Sequence, residues 1–332
     1  MNAREREFLE LYQRADLFEL AQLAHQIKEQ FHQKKYFYTI NRHINYTNVC
    51  ILNCKFCSYH KKPGERGSYV LGIEEILQKL EGENALREVH IVGGLNPEIP
   101  YEYYINLIQS IRKAKPEVRI RAFTCVEIDF LSKISGKPVE EVLMELKEAG
   151  LNSIPGGGAE VFSERIRKEL YPGKISYKRW LEIAKTAHSL GIKTNATLLF
   201  GHIEREEEII KHLLILREAQ AETGGFEAFV PLPFIPENTP LSHLSSPSAQ
   251  KILRTIAISR IVLDNLPHIK AYWVFLGIGF AQVALLWGAD HIHGTVIEEK
   301  ISEAMKGKPV TKLPPAEIEK LIQEIGGEPS LL

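Results

Sequence analysis

The stretch "NVCILNCKFCSYH", residues 48–60, overlaps the apolar run "INYTNV" (44–49) and holds three of the chain's four cysteines, Cys50, Cys54 and Cys57. A β-branched and aromatic run that gives way to a polar, thiol-rich loop reads as a strand delivering a metal-binding turn to one end of a sheet. Seven further apolar runs continue the pattern, at 88–93 (EVHIVG), 118–124 (VRIRAFT), 151–155 (LNSIP), 193–200 (KTNATLLF), 226–231 (FEAFVP), 269–275 (IKAYWVF) and 289–293 (ADHIH). Segments of helical period separate them, near 73–82, 101–114, 138–149, 176–190, 204–221, 247–265, 277–287 and 297–306. Eight alternating pairs predict an α/β protein whose strands close into a (β/α)8 TIM-type barrel, in preference to an open doubly wound sheet. A charged amphipathic stretch near 4–34 precedes them, so we expect an N-terminal helical extension over 1–36 and a barrel with C-terminal helices over 37–332.

Composition narrows the function classes. The 41 Lys and Arg balance 42 acidic residues, which leaves no basic stripe for nucleic acid. No run of 18 uncharged apolar residues occurs, and the first thirty residues lack the apolar core of a signal peptide. We expect a cytoplasmic protein with no membrane insertion, in a compartment that keeps clustered thiols reduced.

Cys50, Cys54 and Cys57 follow the spacing C-x3-C-x2-C. Three thiolates so spaced can grip three irons of a cubane 4Fe–4S cluster and leave the fourth open, whereas structural zinc takes four closed ligands. A zinc knuckle completed by His60 is the alternative metal reading. A plain electron carrier needs a fourth thiolate, and the spare Cys125 reads as a buried apolar side chain. An iron–sulfur or zinc-binding scaffold with no enzymatic activity therefore stands as the non-enzyme reading.

Residues of interest recur where each strand stops, the face of an α/β barrel at which catalytic loops gather. "HIVGGLNP" (90–97) places Gly93 and Gly94 after the second strand, and "FTCVEID" (123–129) places Glu127 after the third. "SIPGGGAEVF" (153–162) leaves the fourth through a glycine turn containing Gly157, able to offer bare N–H groups to an anion. "NATLLFGHIE" (195–204) ends in Gly201, His202 and Glu204. The Pro-rich segment 234–248 reads as an active-site loop, presenting Asn238 and Thr239. Trp273 and Gln282 close the seventh unit, and Asp290, His291, His293 and Thr295 the eighth. H-x-H beside an acid suits a second metal, yet alternation alone puts two such imidazoles on one strand face.

C-x3-C-x-aromatic-C on the loop after the first strand of a (β/α)8 pattern resembles the radical S-adenosylmethionine (SAM) superfamily. The resemblance implies a 4Fe–4S cluster on Cys50, Cys54 and Cys57, whose open iron is chelated by the amino and carboxylate groups of SAM. Reduction of the cluster then splits SAM into methionine and a 5′-deoxyadenosyl radical, with an external low-potential donor such as flavodoxin or ferredoxin supplying the electron. It further implies a SAM site built from Gly93, Gly94, Glu127, Gly157, Gly201 and Glu204.

GGLNP, GGGAE, LLFGHIE, PLPFIPENT and "GADHIHGTVIEEK" (288–300) together resemble the aminofutalosine synthases, with the dehypoxanthine futalosine cyclases and the deazaflavin-chromophore synthase subunits as the next relatives. That branch adds the deoxyadenosyl group to 3-[(1-carboxyvinyl)oxy]benzoate. Rearrangement and loss of hydrogencarbonate then give 6-amino-6-deoxyfutalosine for menaquinone biosynthesis. His291 and His293 depart from it, since acidic residues are expected there. An aromatic dicarboxylate needs a few donors in an apolar, water-excluding pocket. His202, Glu127 and Arg42 are the expected catalytic residues; Arg42, His60, Arg66 and His202 the expected carboxylate donors; Trp273, Tyr272 and Phe234 the expected walls of the ring site.

Overall fold

A computed structural model describes residues 2–332. Ten strands alternate with helices: β1 (Lys35–Thr39), β2 (Asn41–Ile44), β3 (Glu88–Ile91), β4 (Arg119–Ala122), β5 (Ser153–Ile154), β6 (Lys193–Phe200), β7 (Phe226–Pro233), β8 (His268–Ile269), β9 (His291–Gly294) and β10 (Glu328–Leu331). Seven of them, β2 to β8, form one curled parallel sheet in sequential order. Sequential parallel order follows from right-handed βαβ crossovers that keep each helix outside its strand pair. The eighth inner strand, β9, sits in a separate sheet of order β10-β1-β9. Single bridges nonetheless tie its neighbourhood to both edges of the larger sheet, Lys270 to His291 beside β8 and Arg42 to Ile297 beside β2. The strands therefore ring a common interior, with the last unit joined by isolated bonds in place of a continuous ladder.

The first strand lies earlier than its apolar run suggests. Thr47 and Val49 make isolated bridges to Val70 and Lys61, and Asn48 Nδ2 donates to the Gly67 carbonyl at 2.9 Å. Polar side chains in the run thus bond a returning loop, and only 41–44 joins the sheet. The N-terminal extension is two helices, Ala3–Arg14 and Leu17–His32, broken where Asp16 caps the second by accepting from Phe18 N at 2.8 Å. Helices Cys125–Ser135 and Glu164–Leu170 lie outside the sequence expectation, as do β1 and β10, and helix Trp273–Leu276 takes over the end of the expected strand 269–275. No helix among the described residues is long and apolar enough to cross a membrane.

Side chains of one strand alternate between the barrel interior and the helical layer. Outward positions such as Val89, Ile91, Ile120 and Ala196 are fully buried and apolar. Inward positions are unusual for a packed barrel, because Glu88, Arg121, Asn195, Lys270, His291 and His293 are all buried and polar. Polar residues at core positions cost free energy unless they are paired or serve a ligand, so the barrel axis is where a ligand would be met.

Candidate active site

A cavity of about 320 Å³ opens at the C-terminal ends of the strands, and Cys50, Cys54 and Cys57 all line it. Their loop is fixed by backbone bonds: Cys50 N donates to Lys61 O (2.9 Å), Ile51 N to Leu95 O (3.0 Å) and Lys55 N to Leu170 O (2.8 Å). Lys62 Nζ adds bonds to the carbonyls of Cys50 and Leu52, both at 3.1 Å. All three thiols are free of disulfides, and burial raises each thiol above its usual value, Cys54 to about 12. Burial favours the neutral thiol even though the Lys174 ammonium nearby pulls the other way, and a bound metal reverses that preference. Cys125 lines no part of this cavity and is wholly buried in the helix start after β4. The donor set is therefore three sulfurs beside open volume, which fits a cluster with one exchangeable corner and does not fit a closed zinc site. His60, the fourth ligand of the zinc reading, bonds through Nδ1 to the Cys57 carbonyl at 3.0 Å.

Glycines bring the neighbouring turns against this loop. A Cβ on Gly94 would overlap the Val49 carbonyl oxygen and lie 2.9 Å from Cys50 Cβ, and one on Gly93 would enter the Tyr46 ring at 2.6 Å. Only absent side chains permit that approach. Glu127 accepts four hydrogen bonds there: Tyr46 Oη (2.9 Å) and Gly93 N (3.1 Å) on one oxygen, Thr124 N (2.7 Å) and Thr124 Oγ1 (2.8 Å) on the other. Burial raises its carboxyl to about 7 while these donors hold it down. Thr124 and Glu127 form the capping box of the Cys125–Ser135 helix, so Glu127 lines the cavity chiefly as the clamp that seats the Gly93 turn. Across the cavity Gly157 accepts from Trp180 Nε1 at 3.2 Å, and Gly156 packs within 2.7 Å of the β6 backbone where a Cβ would stand.

Of the other expected site residues His60, Phe234, Tyr272 and His293 line the cavity, and the rest fall elsewhere. Gly201, His202 and Glu204 do not line the cavity. Glu204 accepts from Gly201 N and His202 N, both at 2.8 Å, and from Lys251 Nζ at 2.7 Å. His202 Nδ1 accepts from Ile203 N (2.7 Å), which makes Nε2 the donor to the Leu199 carbonyl (3.0 Å); burial lowers its pKa, so it is a neutral structural ring. Arg42 pairs with Glu298 (3.1 Å) and Glu83 (3.6 Å) away from the cavity, and Arg66 is exposed. Tyr272 and Phe234 are lining residues, whereas Trp273 donates to the Gly294 carbonyl at 2.7 Å. Gln282 Nε2 donates to the Leu321 carbonyl at 3.0 Å, on the outer side of its helix. Asn238 and Thr239 bond their own surroundings, Asn238 Nδ2 to Met305 O (2.9 Å) and Thr239 Oγ1 to Pro236 O (2.7 Å). Asp290 is fully buried against Arg260 (2.6 Å) and His268 (3.1 Å).

Sequence reasoning missed several lining residues. Lys174 is the one Lys or Arg at the cavity among the described residues; it pairs with Glu160 at 2.5 Å and stands 5.0 Å from the Phe56 ring centre. Glu160 and Cys54 hold its ammonium above the ordinary lysine range in spite of burial. His43 and His90, one on each of the first two strands of the sheet, stack at 4.5 Å, and Tyr272 packs on His293 at 4.3 Å. Two non-glycine lining residues stand in the left-handed region, Glu160 (φ +43°) and His293 (φ +74°). Each costs about 1–2 kcal/mol, a strain that concentrates at functional sites.

The model of the radical SAM superfamily matches residues 44–215, more than half of the chain and all of the sheet from the cysteine loop to the helix after β6. The chain belongs to the radical SAM superfamily. Its last third matches the C-terminal region of CofH/MqnC over residues 223–332. As a radical SAM enzyme it uses a 4Fe–4S cluster and SAM, in agreement with the three-sulfur donor set at the cavity. Among curated relatives, an aminodeoxyfutalosine synthase of Thermus thermophilus is 40% identical over 97% of this chain and 88% of that one, and one of Streptomyces coelicolor is 39% identical over 96% and 86%. A 5-amino-6-(D-ribitylamino)uracil–L-tyrosine 4-hydroxyphenyl transferase of Methanosarcina barkeri is 40% identical over 94% of this chain and 83% of that one. Among solved structures, methylornithine synthase superposes with a TM-score of 0.77 at 19% identity, covering 98% of this chain and 93% of the other, a likeness of fold.

Proposed function

We propose that this radical SAM enzyme adds the 5′-deoxyadenosyl group of SAM to 3-[(1-carboxyvinyl)oxy]benzoate, giving 6-amino-6-deoxyfutalosine with loss of hydrogencarbonate. The observation that carries the reading is the 40% identity to the Thermus synthase across nearly the whole of both chains. When bound, the cluster and SAM supply the deoxyadenosyl group. The chain's own residues do the rest. Cys50, Cys54 and Cys57 hold the cluster. Gly93 and Gly94 leave backbone room for the amino acid end of SAM, and Gly157 for the nucleoside. Lys174, paired with Glu160 beside Cys54, keeps a positive charge next to the sulfurs. Leu232, Val230, Phe234, Phe275 and Tyr272 give an apolar wall on which an aromatic ring can lie and from which water is excluded. A low-potential carrier such as flavodoxin or ferredoxin delivers the electron.

Mass spectrometry of an anaerobic incubation of the reduced, cluster-loaded enzyme with SAM and the enol ether tests this. The expected result is an adenosylated product formed as SAM is consumed. Free 5′-deoxyadenosine without an adduct, or a 4-hydroxyphenyl transfer product when tyrosine and the ribitylaminouracil are supplied, overturns it.

A further inference from the structure

Among the described residues the cavity holds no cation free to meet a carboxylate, since Lys174 is its one Lys or Arg and is already paired with Glu160. Its floor, however, is a layer of three imidazoles with unmatched donors. His43 Nε2 and His293 Nε2 lie 3.3 Å apart, so one ring donates to the other. Two neutral rings carry two N–H groups and use one between them, so one N–H of the pair is left over whichever way the proton sits. Neither His43 Nδ1 nor His293 Nδ1 has a partner among the described residues to take it, and the latter is buried. The ring of His90, stacked on His43, makes no hydrogen bond among the described residues, and its Nδ1 is buried. Two N–H donors at the cavity floor therefore lack an acceptor.

Two residues earlier in the chain lies a second inward layer, on the order of 6–7 Å below where the backbone is extended. Lys270 stands under Tyr272 and His291 under His293, both facing a cavity of about 610 Å³ at the other end of the barrel. Lys270 is 5% exposed, yet its ammonium has neither hydrogen bond nor ion pair among the described residues. Arg121, 4% exposed, bonds Glu88 (3.0 Å) and Glu227 (3.1 Å) but leaves Nη1 buried without a partner. Asn195 lines both cavities, and its unpartnered Oδ1 is an acceptor that stands apart from this donor set. Burial above all, with the charge of Lys270 acting in the same direction, keeps His43, His90 and His293 neutral. Unmatched donors in front and a cation without a contact partner behind form a site for an anion that the protein itself does not provide.

We propose that His43, His90 and His293, backed by Lys270 and Arg121, form the subsite that receives the ring carboxylate of an aromatic acid substrate. The assignment rests on the function proposed above for the identity of that acid. It explains why the expected donors Arg42, Arg66 and His202 are absent from the cavity. It also gives His293 a reason to hold its left-handed backbone, since that conformation turns the ring over the barrel axis beside Tyr272.

The test is a charge-for-charge cycle. Calorimetry measures binding of 3-[(1-carboxyvinyl)oxy]benzoate and of its analogue without the ring carboxylate to the cluster-loaded enzyme with SAM, for the natural chain and for Lys270→Gln. The natural chain should prefer the carboxylated ligand by about tenfold or more, and Lys270→Gln should lose most of that preference while retaining cluster absorbance. His90→Phe, which keeps the stack on His43 but removes the N–H, should weaken the carboxylated ligand alone and serves if Lys270→Gln does not fold. An undiminished preference in a folded variant overturns the subsite. Turnover of the same ligand is a separate readout: a natural chain that binds it with the expected preference but forms no adduct refutes the reaction and leaves the subsite standing.

Discussion

Gly94 and Lys270 show how single positions are fixed by physical constraints of opposite kind. Gly94 is a steric requirement, because any Cβ there meets the Val49 backbone oxygen and comes within 2.9 Å of the Cys50 side chain. Gly94→Ala must displace the cysteine loop, so we expect reduced iron content after anaerobic reconstitution together with weaker SAM binding, checked by iron assay and calorimetry. Lys270 is an electrostatic cost. Burial lowers its ammonium from 10.5 to about 8. Each tenfold change in proton affinity corresponds to about 1.4 kcal/mol, so a few kcal/mol of stability are forgone at neutral pH. Below about 8 both folded and unfolded chains carry the proton and the cost is complete; between about 8 and 10.5 only the unfolded chain holds it, and stability rises with pH. Lys270→Met should therefore be more stable than the natural chain at pH 7, with the gap narrowing by about pH 9.5. Urea midpoints at the two pH values measure it. A group that weakens the fold yet stands behind the substrate floor is the kind of residue retained for binding.

At the level of single elements, the turn after β4 carries the clearest consequence. Thr124 and Glu127 build a capping box that starts the Cys125–Ser135 helix and seats Gly93 through the same carboxylate. Glu127→Gln keeps the size but places an amide N–H₂ against a group of donors. We expect a loss of about 2–3 kcal/mol, the cost of leaving buried donors unmatched, read as a lower thermal midpoint. The T-x-x-E spacing signals a helix start, but the apolar run 118–124 carries the strand expectation through Thr124 and leaves Glu127 beyond it as a SAM ligand. A similar displacement hides His43. The apolar run 44–49 predicts the first strand, whereas Asn48 and Thr47 bond the returning loop and the ladder uses 41–44. With the register displaced, His43 has no assigned face, and its stacking with His90 is invisible from sequence. Gly201, His202 and Glu204 illustrate the reverse: the spacing marks a strand-end turn, but the carboxylate is consumed in closing it and the ring in bonding its own backbone.

For the molecule as a whole, the alternation of apolar runs with helical period is enough to specify parallel strands wrapped by helices, with the cysteine loop at their C-terminal ends. Strand closure is not legible, because β9 joins the sheet through isolated bridges and pairs mainly with β1, whose short KYFYT run sits against the helical extension. Nor can the pairing of buried charges be read, since Lys270, Arg121 and His90 come together only when the barrel curls. The cysteines are readable because their chemistry is local: one loop holds all three, and Cys125 is carried off by a helix. Cys50→Ala, Cys54→Ala or Cys57→Ala should each abolish brown cluster absorbance and SAM cleavage together, whereas Cys125→Ala should retain both; anaerobic absorbance and chromatography of the cleavage products decide it.

We propose that activity in this enzyme depends on a cubane that Cys50, Cys54 and Cys57 would hold at the cavity, leaving one iron open to SAM. The most direct measurement is the Mössbauer spectrum of protein reconstituted with ⁵⁷Fe and titrated with SAM. About one quarter of the iron should change its signal as SAM binds, the rest staying as tetrahedral sulfur-ligated iron. Zinc in place of iron, or four iron environments that SAM leaves unaltered, would contradict it.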